Sequence, residues 1–567
     1  MFFHNSLIKT SEKSHLNVIP RNGATSLPAI GWMFLLIILF SVAANSAFAQ
    51  LSTTSLSGIS SNFRIYPSNV TQTEVFVTRH PSNNALLFSS ANTINLSSGF
   101  ISEGIYISNN GGATWNGSDT CKGAPLLFHR GDPGITIDKD GKFILTRLGF
   151  QDGLFSHVST DNGLTWSSQR TIAGERQDRA SITTDINSIS SYYGRTYTAY
   201  VELLPPFPLK VSFTVDGGLT WSVPASINNP IQRSQGAELA IGIDSNLFAV
   251  WAGVQSVSPY TEDFIGFARS VNGGVTWSVV EQAIDMNGIQ GTLPQKSSIR
   301  VNGLPKIDVD HTNGTHRGWI YIVTTQKNFS SAGNDPDVIL YRSSNNGQSW
   351  SQGIRANQDP LNNGKIQYFP AVHVDNGGGI NVLYYDDRNT TSDSVGIFLS
   401  RSTDGGDSWN DFQIGDHHFR PQAIGGLGQG YQGDNISMTS VGGTLIPMWM
   451  DNSSGIYQIW SSQVPIATLV TVKKETSIPA KYQLTQNFPN PFNPSTTIQY
   501  SLQKRQFTTV KVFDLLGREV STLVETMQSA GEHFIVFDAP STLSSGIYFY
   551  QLKTSESRFV KKMILQK

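Results

Sequence analysis

The chain has one cysteine, Cys121, so no disulfide can form within it, and stability must come from burial and backbone pairing. Charge is scarce: Asp, Glu, Lys and Arg make up 14 % of the 567 residues, against roughly 25 % in ordinary globular proteins. No basic excess exists either. The net charge of −2 gives no electrostatic footprint for nucleic acid or an anionic surface. Long apolar runs are also missing. The one candidate, residues 29–40, is too short for a comfortable bilayer span. It follows Lys9, Lys13 and Arg21 and precedes Ala47-Phe48-Ala49, which reads as a signal peptide over residues 1–49 cleaved after Ala49. No span is expected in the chain once it is cleaved.

What fills the space is turn chemistry. A short signature, Ser/Thr-x-Asp/Asn-x-Gly-x-Ser/Thr-Trp, recurs six times. Its clearest copies are Ser159-Thr-Asp161-Asn-Gly163-Leu-Thr165-Trp166 and Ser402-Thr-Asp404-Gly-Gly406-Asp-Ser408-Trp409. The others end at Trp115, Trp221, Trp277 and Trp350. The Asp or Asn accepts hydrogen bonds from its own turn, the Gly takes positive φ, and the Trp buries a large ring beneath. Asp161, Asp216 and Asp404 alternate in role with Asn110, Asn272 and Asn345, since Asn keeps the acceptor oxygen. These are structural staples.

A second repeat runs out of phase with the first. Seven segments begin near Glu74, Asp132, Arg179, Glu238, Leu304, Phe369 and Asp434, and most run as an apolar strand into an Asp. Each is followed by a turn and an aromatic strand, such as Leu247-Phe-Ala-Val-Trp251, and then by a third strand leading into the signature. Four strands per repeat predict an all-β propeller over residues 50–465. Seven blades are expected, with six as the alternative. The last unit lacks an outer strand, which Asn62-Phe-Arg-Ile-Tyr66 is placed to supply, closing the ring and removing an open edge. The six signatures resemble the Asp-box of sialidases and other propellers.

Composition changes after a linker at 466–481. Residues 482–567 alternate as strands of a small sandwich. Asn487-Phe-Pro-Asn-Pro-Phe-Asn-Pro494, the Asp514-Leu-Leu-Gly-Arg518 turn and Gly546-Ile-Tyr-Phe-Tyr550 resemble the type A C-terminal sorting domain of the type IX secretion system. The resemblance implies passage through the periplasm and across the outer membrane, with that secretion machinery as a partner, and a final place at the cell surface or in the medium.

In a propeller the inner strands start where the second strands end, on the face opposite the Asp-boxes. That face is therefore expected to gather Glu74, Asp132, Asp178, Glu238 and Asp434 from inner-strand starts. Arg147, Asp386, Asp387 and Arg388 come from second-strand ends, and Arg130, Arg179 and Tyr431 are their sequence neighbours. The resemblance to sialidases implies a glycoside hydrolase in which arginines grip a sugar carboxylate. Arg130, Arg147, Arg179 and Arg388 are the candidates for that grip. Tyr384, Tyr385 or Tyr431 would supply a nucleophilic phenol and Glu238 its helper, with Asp132 also placed in the catalytic set. The first-blade sialidase motif departs here. It reads Phe63-Arg64-Ile65-Tyr66-Pro67, with an extra residue, and no Asp occurs between Ile65 and Ser118. Two other readings stand beside it: a hydrolase with acid–base carboxylates and no arginine grip, and a non-catalytic propeller binding an extracellular glycan or protein. Trp251, Trp319 and Trp449 would stack on sugars or pack the blades. No cofactor is implied. Ca²⁺ at the carboxylate ring or at Asn334-Asp-Pro-Asp337 lacks supporting ligand spacing.

Overall fold

A computed structural model describes residues 58–567 except 98–99, 124–128, 331–332, 392, 426–429, 431, 470–480 and 529–530. The expected signal peptide, most of the expected linker and Tyr431 lie outside the described residues. Seven antiparallel blades, five of four strands and the first and last of five, follow one another along the chain. Their inner strands are Thr71–Arg79, Gly131–Ile137, Gln177–Thr184, Arg233–Ile241, Lys306–Val309, Gln367–Val374 and Ser437–Val441. Each inner strand contacts the next, and the seventh contacts the first, so the ring is closed. Blade 7 takes its outer strand from Phe63–Arg64, with Phe63 opposite Ser461 and Arg64 opposite Trp460. The count is therefore seven and not six, and the N-terminal segment removes the last open edge.

The Asp-boxes seal the blades to one another. Ser159 Oγ donates to Asp161 Oδ1 (2.8 Å) and accepts from Gly163 N (2.8 Å), while Thr165 N donates to Asp161 Oδ1 (2.9 Å). Trp166 Nε1 closes the turn on Gly163 O at 3.1 Å. In the Asn copies the last side-chain bond reverses. Asn110 Nδ2 donates to Thr114 Oγ1 (2.8 Å), whereas Asp161 Oδ2 accepts from Thr165 Oγ1 (2.5 Å). The glycine serves two needs. Gly163 has φ 81°, and a Cβ there would stand 3.0 Å from Ile107 of the preceding blade. Gly347 has φ 76°, and a Cβ would fall 2.1 Å from Phe267. Each box can press on its neighbour only because that position lacks a side chain.

A hairpin, Gly291–Leu293 and Lys296–Val301, is inserted between blades 4 and 5. Glu262 anchors its roots by accepting from the backbone N–H of Ile289 (3.1 Å), Gln290 (3.0 Å) and Gly303 (2.7 Å). The fully buried pair Lys296–Asp387, at 2.9 Å, holds its tip.

Residues 483–565 form two sheets, one of three strands and one of four. They enclose a core that includes Phe492, Ile498, Tyr500, Val510, Tyr550 and Met563. Asn487, from the opening motif, donates its backbone N–H to Tyr550 Oη (2.8 Å) and its Nδ2 to Thr496 Oγ1 (2.9 Å). Among the described residues no helix is long and apolar enough to cross a membrane.

Candidate functional site

Five inner strands break register at a common level: Thr73/Phe76, Gly131/Gly134, Asp178/Ser181, Gln235/Glu238 and Tyr368/Ala371. A bulge leaves a residue unpaired and re-aims it, and such devices concentrate beside functional sites. Glu74 (φ 56°) and Asp132 (φ 54°) sit in these breaks with backbone in the left-handed region. That conformation costs about 1–3 kcal/mol for a residue with a side chain and persists only where the surroundings enforce it.

The result is a knot of charge that spans the ring. Arg179 of blade 3 reaches Glu238 of blade 4 (3.1 Å) and Asp434 at the entry to blade 7 (3.3 Å). Lys306 of blade 5 also binds Glu238 (2.5 Å) and donates to Asn435 Oδ1 (2.5 Å). Asn302 Nδ2 donates to Asp434 Oδ2 at 2.8 Å. On the other side, Asn92 Nδ2 donates to Glu74 Oε2 (3.1 Å) and Asp132 Oδ1 (3.3 Å), and its Oδ1 accepts from Asp132 N (2.6 Å). Below Asp132, buried Glu103 accepts from Gly131 N (2.9 Å) and meets His129 Nδ1 at 2.5 Å. Glu103 thereby fixes the backbone that presents Asp132.

These surroundings separate the carboxyl groups by protonation. Burial and the neighbouring Asp178 push Asp132 up to about 7. Burial raises Asp178 as well. Burial also pushes Glu238 upward, but Lys306 and Arg179 outweigh it and hold Glu238 below the usual range. Near neutral pH the site thus holds one carboxyl poised to give up a proton and another that is firmly ionised. Among the described residues no group of three or more His, Cys, Asp or Glu is arranged to hold a metal ion.

Of the residues expected here, Glu74, Asp132, Asp178, Arg179, Glu238 and Asp434 converge. The others do not. Arg130 is exposed and donates to the backbone oxygen of His129 (2.9 Å). Arg147 is buried inside blade 2, bonded to His157 Nε2 (3.0 Å) and Gln169 Oε1 (2.8 Å). Tyr384 is fully buried against Ser400 Oγ (2.7 Å), and Tyr385 donates to the backbone oxygen of Met450 (2.8 Å). Burial holds both phenols well above their ordinary range, the reverse of what a nucleophile needs. Asp386 is bound to Arg388 (2.6 Å), which also binds Asp411 (2.5 Å), and Asp387 is committed to Lys296 (2.9 Å). Trp251 and Trp449 are fully buried blade packing. The expectation of converging arginines therefore fails for Arg130, Arg147 and Arg388: Arg147 and Arg388, at second-strand ends, turn into the packing within and between blades, while Arg130, just ahead of an inner strand, turns out to solvent. Lys306, Asn92, Asn302 and Asn435 were missed. Lys306 had a signal, because it alternates with Ile307 and shares a face with Asp308, as strand residues two apart do.

Residues 486–566 match the secretion system C-terminal sorting domain. The chain carries the tail of a type IX secretion substrate and is exported to the cell surface or released. No curated protein matches the chain. Among solved structures it is similar to an α-L-arabinofuranosidase from Fusarium graminearum, at 14 % identity and TM-score 0.41, covering 61 % of this chain and 99 % of that one. A PL25 ulvan lyase aligns at 12 % identity and TM-score 0.45, covering 71 % and 96 %. A Hadza microbial sialidase aligns at 13 % identity and TM-score 0.38, covering 69 % and 75 %. At these scores the likenesses carry nothing about site or substrate, and the fold rests on the strand pairing above.

Proposed function

We propose that the propeller acts on an extracellular glycan as a glycoside hydrolase whose acid–base pair is Asp132 and Glu238. The observation that carries this reading is geometric: register breaks in the inner strands of blades 2 and 4 bring Asp132, held by Asn92, and Glu238, held by Arg179 and Lys306, to one axial cluster, where burial raises the first carboxyl and the two cations lower the second. Glycosidic cleavage needs that pair: one carboxylic acid to protonate the leaving oxygen as its bond to carbon breaks, and one carboxylate to activate water or attack the sugar carbon. Asp132, near neutral in its proton affinity, fits the acid. Glu238, ionised and oriented by Lys306, fits the second role. Glu103, through Gly131, and Asn92, on Asp132 itself, are positioning residues. A sialoside is not the substrate this arrangement favours, because only Arg179 of the four candidate arginines stands at the axis, and it is already paired with carboxylates.

The test is a screen of the exported protein against polysaccharides and fluorogenic glycosides, including a sialoside and an arabinofuranoside, with glycan-array binding alongside. Hydrolysis that falls at least about 100-fold in Asp132→Asn and Glu238→Gln supports the reading. Binding without turnover supports a glycan-binding module instead. Hydrolysis that survives both substitutions, or no glycan bound or cleaved, removes the proposal.

A further inference from the structure

The cations near the axial site are not alike. Arg179 and Lys306 are each committed to carboxylates. Arg233, the first residue of the inner strand of blade 4, is not. Its guanidinium lies over the rings of Phe207 (5.5 Å) and Tyr260 (5.3 Å). Its Nε is buried with no hydrogen-bond partner, and no carboxylate stands within ion-pair distance of it among the described residues. Both rings come from loops between second and third strands, Phe207 ahead of Leu209–Thr214 and Tyr260 ahead of Glu262–Ser270, and so lie on the site face. Both have φ of 64°. Two aromatic residues in a sparsely populated backbone region, clamping one cation, indicate a surrounding structure that enforces the arrangement.

A guanidinium held by ring faces keeps its planar edge for another partner, and that edge matches a carboxylate or sulfate in a two-pronged bond. The field at the axis points the same way. Glu74, Asp132, Asp178, Glu238 and Asp434 outnumber Arg179 and Lys306 at the centre, so an anionic group is accepted more readily at the rim than there. Asp178 connects the two regions, since Arg233 draws its proton affinity down against burial. Arg176, exposed, occupies the matching place in blade 3, three residues before Arg179, as Arg233 is three before Gly236.

We infer that Arg233, clamped between Phe207 and Tyr260 at the edge of the axial site, is a specificity-determining residue that binds an anionic substituent of the glycan, a carboxylate or an ester sulfate. This rests on the glycan reading above and names the substrate class. A neutral sugar ring sits over the acid–base pair, and the charged substituent lies toward blades 3 and 4.

The test uses matched oligosaccharide pairs with the whole exported protein, read by calorimetric Kd. An oligogalacturonate is compared with its methyl ester, and a sulfated galactan oligosaccharide with its desulfated form. At least one anionic probe should bind about 10- to 100-fold more tightly than its neutral partner, the range expected of a charge-assisted bond. Arg233→Met should erase that preference while leaving the neutral probe's Kd unchanged. Arg233→Lys, which keeps charge but loses the planar fork, should retain only part of it, and serves if the Met variant does not fold. A preference that survives Arg233→Met overturns the inference, as does equal binding of both members of each pair. If the anionic preference is absent while neutral glycans are bound and Asp132→Asn still abolishes turnover, the inference falls alone. If no glycan of either kind is bound or cleaved, the central reading falls with it.

Discussion

Two arginines in this propeller sit among carboxylates, and they do opposite things. Arg388 in blade 6 meets Asp386 (2.6 Å), Asp411 (2.5 Å), Asp359 (3.5 Å) and the Tyr384 hydroxyl (3.2 Å). Arg179 meets Glu238 and Asp434 at 3.1 and 3.3 Å. The arginines themselves are similarly covered, at 13 % and 9 % side-chain exposure. Their acids are not: Asp386 and Asp359 are 0 % and 2 % exposed, while Glu238 and Asp434 are 14 % and 15 %. The blade 6 cluster is a closed lattice, joined through Asp359 to Arg355 (2.8 Å) and from there to Asp337 (2.7 Å). The axial cluster keeps a side toward solvent and holds a carboxyl that its surroundings do not fully stabilise as an anion. The same residue types make a closed internal lattice in one place and a partly open polar surface in the other.

Removing each arginine should break the comparison most sharply. Arg388→Met leaves Asp386, Asp359 and Asp411 buried without their cation, and should cost about 3–5 kcal/mol of folding stability. Arg179→Met should cost less, and its deficit should shrink as pH falls and the axial carboxylates take up protons, while glycan turnover is lost. Chemical denaturation of both variants at pH 5 and pH 8 makes the measurement. Equal losses at both pH values would erase the distinction drawn here.

A narrower test concerns Asp132. Its proton affinity is raised in the fold from an ordinary value of 3.8 to about 7. The folded state therefore binds the proton more tightly than the unfolded chain does. Stability attributable to this group falls as pH rises from about 4 and has been lost once pH passes about 7. Asp132→Asn, which cannot ionise, should be more stable than the parent at pH 8 and should flatten the stability profile across that window. It should also lose turnover. A substitution that raises the midpoint while abolishing activity is what a strained functional carboxyl gives, and a structural one does not.

Much of this architecture was legible because it repeats. Six Asp-boxes and seven inner segments fixed blade order, and the missing partner of blade 7 pointed to Phe63–Arg64. The convergence of Asp132, Glu238 and Asp434 was legible for the same reason, since strand starts share a face. The inward side chains of second strands were not. Tyr384 and Tyr385 are consecutive, so they point to opposite faces of their sheet. In a ring both faces are covered by neighbouring blades, and each is buried whichever way it turns. The bulges left no mark in the sequence, because one extra residue in a run of apolar and small side chains breaks no visible pattern. Arg233 was illegible for a different reason. Its meaning depends on Phe207 and Tyr260, which reach it from loops of two different blades.

The smallest expected effect lies at the seam where the ring closes. His417 donates toward Asp451 (2.8 Å) and Asp416 (2.6 Å), lies near Ser453 (3.0 Å), and its ring sits 4.8 Å from that of Trp460 on the strand paired with Arg64. Asp416 in turn accepts from the backbone N–H of Asn62 (2.8 Å), beside the closing strand. The hydrogen bond to Asp451 and then that to Asp416, opposed by partial burial, raise His417 to about 9. The folded chain thus holds this proton more tightly than the unfolded one. The added stability is complete below about pH 6.5 and is lost as pH climbs through about 9. The ring is 28 % exposed, so solvent screening limits the effect to about 1 kcal/mol. His417→Gln should keep hydrogen-bonding capacity, lower the unfolding midpoint slightly at pH 6, and coincide with the parent at pH 10. A pH series of thermal midpoints followed by tryptophan fluorescence reads this directly. Parallel curves for the two proteins would mean that His417 is a spectator and that strand pairing alone closes the ring.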